Sequence, residues 1–196
     1  MQRRRFIALT GAALASSGLA LSGCTTTPPS SSATPEANAG RRASIDADVD
    51  ATLARLYSTV RGSRELVSSA RGVLVFPSVI SAGFWVGGQY GQGSLRTGGQ
   101  TSGYYSIAAA SFGLQIGAQS KAIIMLFMTQ EALDKFTHSQ GWAAGVDATV
   151  AVVRVGANGN VDTSTATGPV EAFVLTNAGL MAGVSLEGTK ISRLVI

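Results

Sequence analysis

Residues 72–93 read GVLVFPSVISAGFWVGGQYGQG. Two short runs in this stretch, residues 73–76 and 84–90, are rich in β-branched and aromatic side chains, which predicts strands. The glycine cluster at residues 87–93 does not match a phosphate-binding loop, because such a loop leads into a helix and a tyrosine-rich strand follows here. We interpret these glycines as places where strands bend sharply or approach each other closely, as in a small barrel.

The same pattern of short β-rich runs continues toward the C-terminus. Further β-rich runs, at the spacing of an antiparallel sheet or barrel, are residues 104–115, 122–128, 146–155, 170–175, 180–186 and 191–196. The Asn158-Gly159 pair predicts a two-residue hairpin turn. A short helix interrupts the strands at residues 130–136, with Thr129 as its N-cap.

An amphipathic helix precedes residue 72. Its apolar positions recur at three- and four-residue steps: Ile45, Val49, Leu53, Leu56, Tyr57 and Val60. We predict Ser44 as the N-cap and a break at Gly62 and Ser63. The apolar stripe fits either packing on the domain's own sheet or insertion among lipid headgroups. The predicted fold class is therefore α+β, a glycine-rich antiparallel sheet or small barrel with an N-terminal amphipathic helix and one short internal helix.

The N-terminal residues predict a bacterial lipoprotein signal. Arg3, Arg4 and Arg5 precede an uncharged apolar stretch at residues 6–21, which is shorter than the ~20 residues of a membrane-spanning helix. Leu-Ser-Gly-Cys follows at residues 21–24, the pattern of cleavage before a diacylated cysteine. The arginine pair also fits a twin-arginine signal, so the twin-arginine and general secretory routes both remain open.

These features predict three segments. Residues 1–23 are the signal peptide, residues 24–43 comprise the lipidated (palmitate-type) Cys24 and a flexible linker, and residues 44–196 form the folded domain. We expect the mature protein to be lipid-anchored in the cell envelope. Thr25 lacks the acidic character that commonly marks inner-membrane retention, which favours the periplasmic face of the outer membrane.

Composition excludes several classes of function. Removing Arg3, Arg4 and Arg5 from the 15 basic residues leaves 12 against 11 acidic residues, so no basic footprint for nucleic acid remains. Cys24 is the single cysteine and His138 the single histidine, so we expect no disulfide framework, metal site or cofactor. Asp147, Glu187 and Lys190 are interpreted as structural. We therefore expect a non-catalytic protein.

Several motifs together resemble the SYLF domain. They are GVLVFPSVISAGF at residues 72–84, VGGQYGQG at 86–93, ASFGLQIGAQ at 110–119, residues 126–128 with 132–133, GWAAGVDAT at 141–149 and GLMAGVSLEGTK at 179–190. The resemblance implies lipid binding, since eukaryotic relatives bind phosphoinositide membranes and some bind actin filaments. Bacterial relatives are commonly exported lipoproteins. A bacterial envelope offers no actin, so actin is not an expected partner.

The resemblance implies a set of candidate lipid-contact residues in this chain. They are Arg61, Arg64, Arg71, Phe76, Pro77, Phe84 and Trp85. Where the family is often basic, this chain has Ser78 and Ser81, which predicts weak, salt-sensitive association. The arginines could equally form a solvated face, and Phe76 and Phe84 could fill the core. Trp85 follows Phe84 directly, so on a strand their rings face opposite sides.

Two functions remain from the sequence. In the first, the domain binds lipid or a membrane surface, with anionic phospholipid as a possible ligand and Cys24 as the tether. In the second, it is a structural or interaction lipoprotein that recognises another envelope component, and only the acyl chains contact the membrane.

Overall fold

The structure is a computed structural model that describes residues 34–153, 161, 168–181 and 185–196, apart from the side chains of residues 83–86 and 111–118. In these residues the helices are α1 (Pro35–Thr59), α2 (Ser63–Ser69) and α3 (Gln130–His138). The strands are β1 (Gly72–Thr97), β2 (Gln100–Phe127), β3 (Trp142–Ala143), β4 (Val150–Val152), β5 (Val170–Thr176), β6 (Gly179–Leu180) and β7 (Lys190–Leu194). The predicted signal, Cys24 and the Asn158-Gly159 turn lie outside the described residues.

Helix α1 begins earlier than predicted. The N-cap is Thr34, whose Oγ1 accepts a hydrogen bond from the Ala37 backbone N–H at 3.3 Å, so the prediction of Ser44 was wrong. Pro35 follows as the first helical residue and Glu36 adds an acidic side chain to the first turn, and both favour a helix start. The predicted break is confirmed, because Gly62 adopts a left-handed φ of 79° between α1 and α2.

The predicted runs before α3 merge into one long hairpin. Strands β1 and β2 pair from Gly72 opposite Phe127 to Thr97 opposite Gln100. Gly98 and Gly99 close it with φ angles of 59° and 82°, positive at both positions as a type I′ turn requires. Register shifts after Phe76 and after Gly83 bend the hairpin, which is why the sequence shows separate runs.

Glycines let the bent hairpin fold against itself. A Cβ added at Gly93 would collide with the carbonyl oxygen of Val75, and one at Gly91 would lie 2.7 Å from the carbonyl oxygen of Ser78. The two ends of β1 therefore pack against each other without side chains between them. This close approach curls the sheet, as the glycine cluster predicts.

The remaining strands extend both sides of β2. Along the sheet the order is β3-β7-β2-β5-β4, with β1 beside β2 and β6 beside β5. The sheet is mixed and not purely antiparallel, because β4 runs parallel to β5. The residues between Val152 and Val170 are numerous enough for the crossover that a parallel pair needs.

The sheet is buried on both faces. In β5, Val170, Ala172 and Val174 belong to a core shared with α3, whereas Phe173 and Leu175 belong to a core shared with α1 and α2. This alternation is the period of two of a strand. The apolar stripe of α1 packs on the second core, so of the two interpretations of that stripe the structure has packing on the sheet.

Candidate functional site

A groove runs along the outer side of α1 where α2 and the hairpin turn approach it. It consists of two depressions of about 430 and 370 Å³ that share Asp50, Leu53 and Tyr57. The first is completed by Ala54, Ser58 and Arg64, and the second by Val67, Ser68, Ala70, Arg71, Val73, Arg96, Gly98 and Gly99. We call the two together the helix groove. Both depressions are open to solvent, so they present a surface and do not enclose a ligand.

Two exposed arginines, Arg64 and Arg71, line the helix groove, and Tyr57 lines both of its depressions. The guanidinium carbon of Arg64 lies 4.2 Å from the centre of the Tyr57 ring, a cation–π contact. Burial raises the pKa of Tyr57, and the charge of Arg64 opposes part of that shift. Arg64 and Arg71 are both exposed, and neither forms an ion pair within the described part of the chain. Their positive charge is therefore available to an anion.

At the other side of the groove, Arg96 is occupied by α1. Its Nη2 lies 2.9 Å from Oδ1 of Asp50 and 3.5 Å from Oδ1 of Asp46, and it donates to the backbone oxygen of Asp46 at 3.3 Å. The Arg96 side chain is 17% exposed. These bonds tie the end of β1 to α1 and hold the wall of the groove in place.

Asp46 anchors α1 to the hairpin. Its Oδ1 accepts hydrogen bonds from Ser94 Oγ (3.1 Å) and Thr101 Oγ1 (2.8 Å), and its Oδ2 accepts from Tyr104 OH (2.7 Å). Burial by itself raises the pKa of Asp46. The three hydroxyl donors together with the charge of Arg96 outweigh that effect, so the pKa lies below its ordinary value of 3.8.

The structure separates the predicted basic residues. Arg64 and Arg71 both line the helix groove, whereas Arg61 is exposed at the turn between α1 and α2 and is absent from the lining. The backbone oxygen of Arg61 accepts a hydrogen bond from the Val161 N–H at 3.1 Å. Sequence reasoning missed Tyr57, Asp46 and Arg96 as parts of this region.

The predicted apolar lipid-contact residues differ in how far they are buried. Phe76 is fully buried in the core shared with α3, so its candidacy as a lipid contact was wrong and the core alternative is the correct one. The reason is that both faces of this part of the sheet are covered, and Phe76, opposite Ile123, lies on the face that packs with α3. Pro77 is half-buried beside it, while the side chains of Phe84 and Trp85 lie outside the described part of the structure.

The two glycine-rich motifs near the C-terminus form a structural unit. The Ala144 N–H donates to the Thr189 carbonyl oxygen, and the Gly188 N–H donates back to the Ala144 oxygen, both at 3.0 Å. Asp147 Oδ2 accepts from the Ala143 N–H at 2.6 Å, which closes the turn around Gly145. Asp147 thus acts structurally, although no ion pair joins it to Lys190 among the described residues.

No catalytic arrangement is evident in the described ranges. His138 Nδ1 lies 2.7 Å from the backbone oxygen of Asp134 one turn earlier and 3.5 Å from Thr137 Oγ1, so it caps α3. The described residues also contain no group of three or more His, Cys, Asp or Glu side chains that could hold a metal ion. Of the helices described, none is both long enough and apolar enough to cross a membrane.

Comparison with known proteins supports the resemblance. Residues 108–194 match a family model described as Ysc84, Las17-binding protein actin regulator. This match supports the SYLF family over residues 108–194. It is 30% identical over 129 residues to SH3 domain-containing YSC84-like protein 1 from Xenopus laevis, and this match covers 63% of the chain and 38% of that relative. The match therefore spans well under half of that relative. The SYLF family is one of binding and regulatory domains.

Proposed function

We propose that this protein is a non-catalytic membrane-surface binding module of the cell envelope, tethered through acyl chains on Cys24. The helix groove carries the argument. Arg64 and Arg71 are exposed without carboxylate partners among the described residues, beside the half-buried Leu53 and Tyr57. An anionic phospholipid headgroup matches this combination of free positive charge and apolar wall.

The expected affinity is modest. Each arginine near an anionic surface contributes about 1 kcal/mol, so Arg61, Arg64 and Arg71 together account for roughly 3 kcal/mol. Exposed charges are screened by salt, which makes this contribution salt-dependent. A weak surface contact suits a protein whose acyl chains already hold it at the bilayer, because a tether raises the effective concentration of the second contact.

Vesicle co-sedimentation tests the proposal. The chain lacking residues 1–24 is mixed with phosphatidylglycerol vesicles, and the triple variant R61Q/R64Q/R71Q is compared with R55Q/K190Q/R193Q, which loses the same charge from exposed residues outside the groove. We expect R61Q/R64Q/R71Q to bind on the order of 100-fold more weakly, since each 1.4 kcal/mol is a factor of ten. Equal losses in both variants would reduce the effect to net charge and contradict the proposal.

The tether requires its own measurement. Mass spectrometry of the membrane fraction should find a mature N-terminus at Cys24 carrying acyl chains, and C24S should leave the membrane fraction. Fractionation of the inner and outer membranes tests the proposed location at the periplasmic face of the outer membrane. If the protein without residues 1–24 binds no vesicle of any anionic content, the interaction-lipoprotein alternative takes the place of lipid binding.

A further inference from the structure

The helix groove carries a negative charge as well as its arginines. Asp50 has the single carboxylate among the described residues that line the groove, and it belongs to both depressions. Its side chain is 68% exposed. The hairpin adds no other acid, because no aspartate or glutamate occurs between residues 72 and 130. A ligand in either depression is therefore exposed to the charge of Asp50.

The contact with Arg96 does not cancel this negative charge. Arg96 Nη2 lies 2.9 Å from Oδ1 of Asp50 and 3.5 Å from Oδ1 of Asp46, so two carboxylates share one guanidinium. The three side chains together keep one net negative charge. Asp46 also accepts hydrogen bonds from three hydroxyl groups, whereas Oδ2 of Asp50 accepts none from the described residues. The acceptor that remains available to a ligand is therefore on Asp50.

The positive charge comes from α2 and from the residues that follow it. Arg71 lines the second depression together with Asp50, and it forms no ion pair within the described ranges. Arg64 lines the first depression, where its guanidinium carbon lies 4.2 Å from the centre of the Tyr57 ring. Arg64 thus occupies one face of the ring. The second depression combines an unpaired arginine with an exposed carboxylate.

This combination favours a ligand that carries both signs of charge. A phosphate accepts charge-assisted hydrogen bonds from a guanidinium, and a primary ammonium donates them to a carboxylate. A phosphoethanolamine group carries these two charges an ethylene unit apart. A phosphoglycerol group would satisfy Arg71 but leave Asp50 without a cation. A quaternary ammonium has no N–H to donate to Asp50.

We propose that the second depression of the helix groove recognises the phosphoethanolamine headgroup of a phospholipid, with its phosphate at Arg71 and its ammonium at Asp50. The inference rests on the proposed membrane function and names the headgroup that the groove prefers. Because the depression is open to solvent, the headgroup is contacted from one side, and the expected effect is a preference among lipids. Soluble phosphoethanolamine esters share this chemistry, so the experiment separates the two sources.

Vesicle sedimentation at constant surface charge tests the preference. Thr34–Ile196 forms one compact unit, so the chain lacking residues 1–24 serves as the test protein. The phosphatidylglycerol content is held constant, and the remaining lipid is either phosphatidylcholine or phosphatidylethanolamine. We expect roughly threefold tighter binding to the vesicles with phosphatidylethanolamine, since an exposed ion pair contributes little energy. Equal binding of the wild type to both vesicles would overturn the inference.

Matched variants locate the preference at Asp50. D50N should bind both vesicles alike, whereas D48N, which loses the same charge from an exposed position outside the groove lining, should keep the preference. D50E retains the carboxylate and should keep it too. Asparagine leaves an oxygen for Arg96, and equal thermal melting of the three variants would show that they fold. A preference that survives in D50N would contradict the assignment, because it would then come from the bilayer itself.

The outcomes also separate this inference from the proposed function. Sedimentation with phosphatidylglycerol vesicles but without a phosphatidylethanolamine preference would overturn the headgroup assignment and leave membrane binding intact. Soluble glycerophosphoethanolamine is titrated separately and followed by amide chemical shifts. If it binds the wild type, but not D50N, and no vesicle sediments the protein, the groove would be reassigned to a soluble ester. Displacement from vesicles only by a large excess of the soluble ester would support the lipid headgroup as the ligand.

Discussion

Glu171 offers the sharpest test of the physical description. It lies on β5 with none of its surface exposed, and neither carboxylate oxygen has a hydrogen-bonding partner among the described residues. Its register neighbours, Leu126 on β2 and Ala151 on β4, are both apolar. Burial raises the pKa of Glu171, and the backbone N–H of Gly168 opposes part of this shift without meeting hydrogen-bonding geometry.

The raised pKa sets the direction of the pH dependence. Above the ordinary value of 4.5, the unfolded chain releases the Glu171 proton while the folded chain keeps it. The free energy of unfolding therefore falls as pH rises from about 4.5 through the folded-state pKa. Leaving a buried polar group unsatisfied costs about 1–3 kcal/mol. Replacing Glu171 with Met, an apolar side chain of similar length, should recover a comparable amount at neutral pH.

Urea unfolding at pH 5 and pH 7.5 measures this effect. We expect E171M to raise the free energy of unfolding by about 1–3 kcal/mol at pH 7.5, with a smaller gain at pH 5, because the raised pKa of Glu171 makes its folded-state cost grow as pH rises. E171Q should remove the pH dependence, and E65Q, which changes an exposed carboxylate on α2, should retain it. Identical pH slopes for the wild type and E171Q would refute the reasoning.

Two further predictions concern the packing of the hairpin. D46N should lower the free energy of unfolding by about 2 kcal/mol because it weakens charge-assisted hydrogen bonds, and D48N, at an exposed position, should have little effect. Because the pKa of Asp46 is lowered, its contribution to the free energy of unfolding should be present above pH 3.8 and should disappear as pH falls through the folded-state pKa. Acid unfolding of the wild type and D46N would measure this loss. G93A should prevent or strongly destabilise folding, because the new methyl group meets the Val75 carbonyl. G40A lies in open space on α1 and should stabilise the helix by up to about 1 kcal/mol. Equal melting temperatures for the wild type and both variants would contradict both predictions.

Local patterns accounted for much of the fold. The spacing of Ile45, Val49 and Leu56 predicted the buried face of α1, and Thr129 predicted the start of α3. The glycine cluster predicted close strand approach, which Gly91 and Gly93 provide. These features are readable because each depends on residues a few positions apart. The start of α1 was misplaced because Thr34 and Pro35 lie in a polar stretch whose composition is typical of a linker.

The candidate site was predictable only in part. Arg64 and Arg71 were named from the resemblance, but their meeting with Tyr57 at one groove depends on how α2 turns back after Gly62. Phe76 was misassigned because the sequence does not show that both faces of β1 are covered at this point.

The amino-acid sequence by itself determined the element types, the family resemblance and the acid-free character of residues 72–130, because composition and short-range periodicity carry that information. Tertiary structure alone decided that Asp46 meets Thr101 and Tyr104, some 55 and 58 residues later, and that Glu171 is buried without a hydrogen-bonding partner among the described residues. The physical reason is that register and the bending of the hairpin arise from packing across the whole sheet, which no local run of residues specifies.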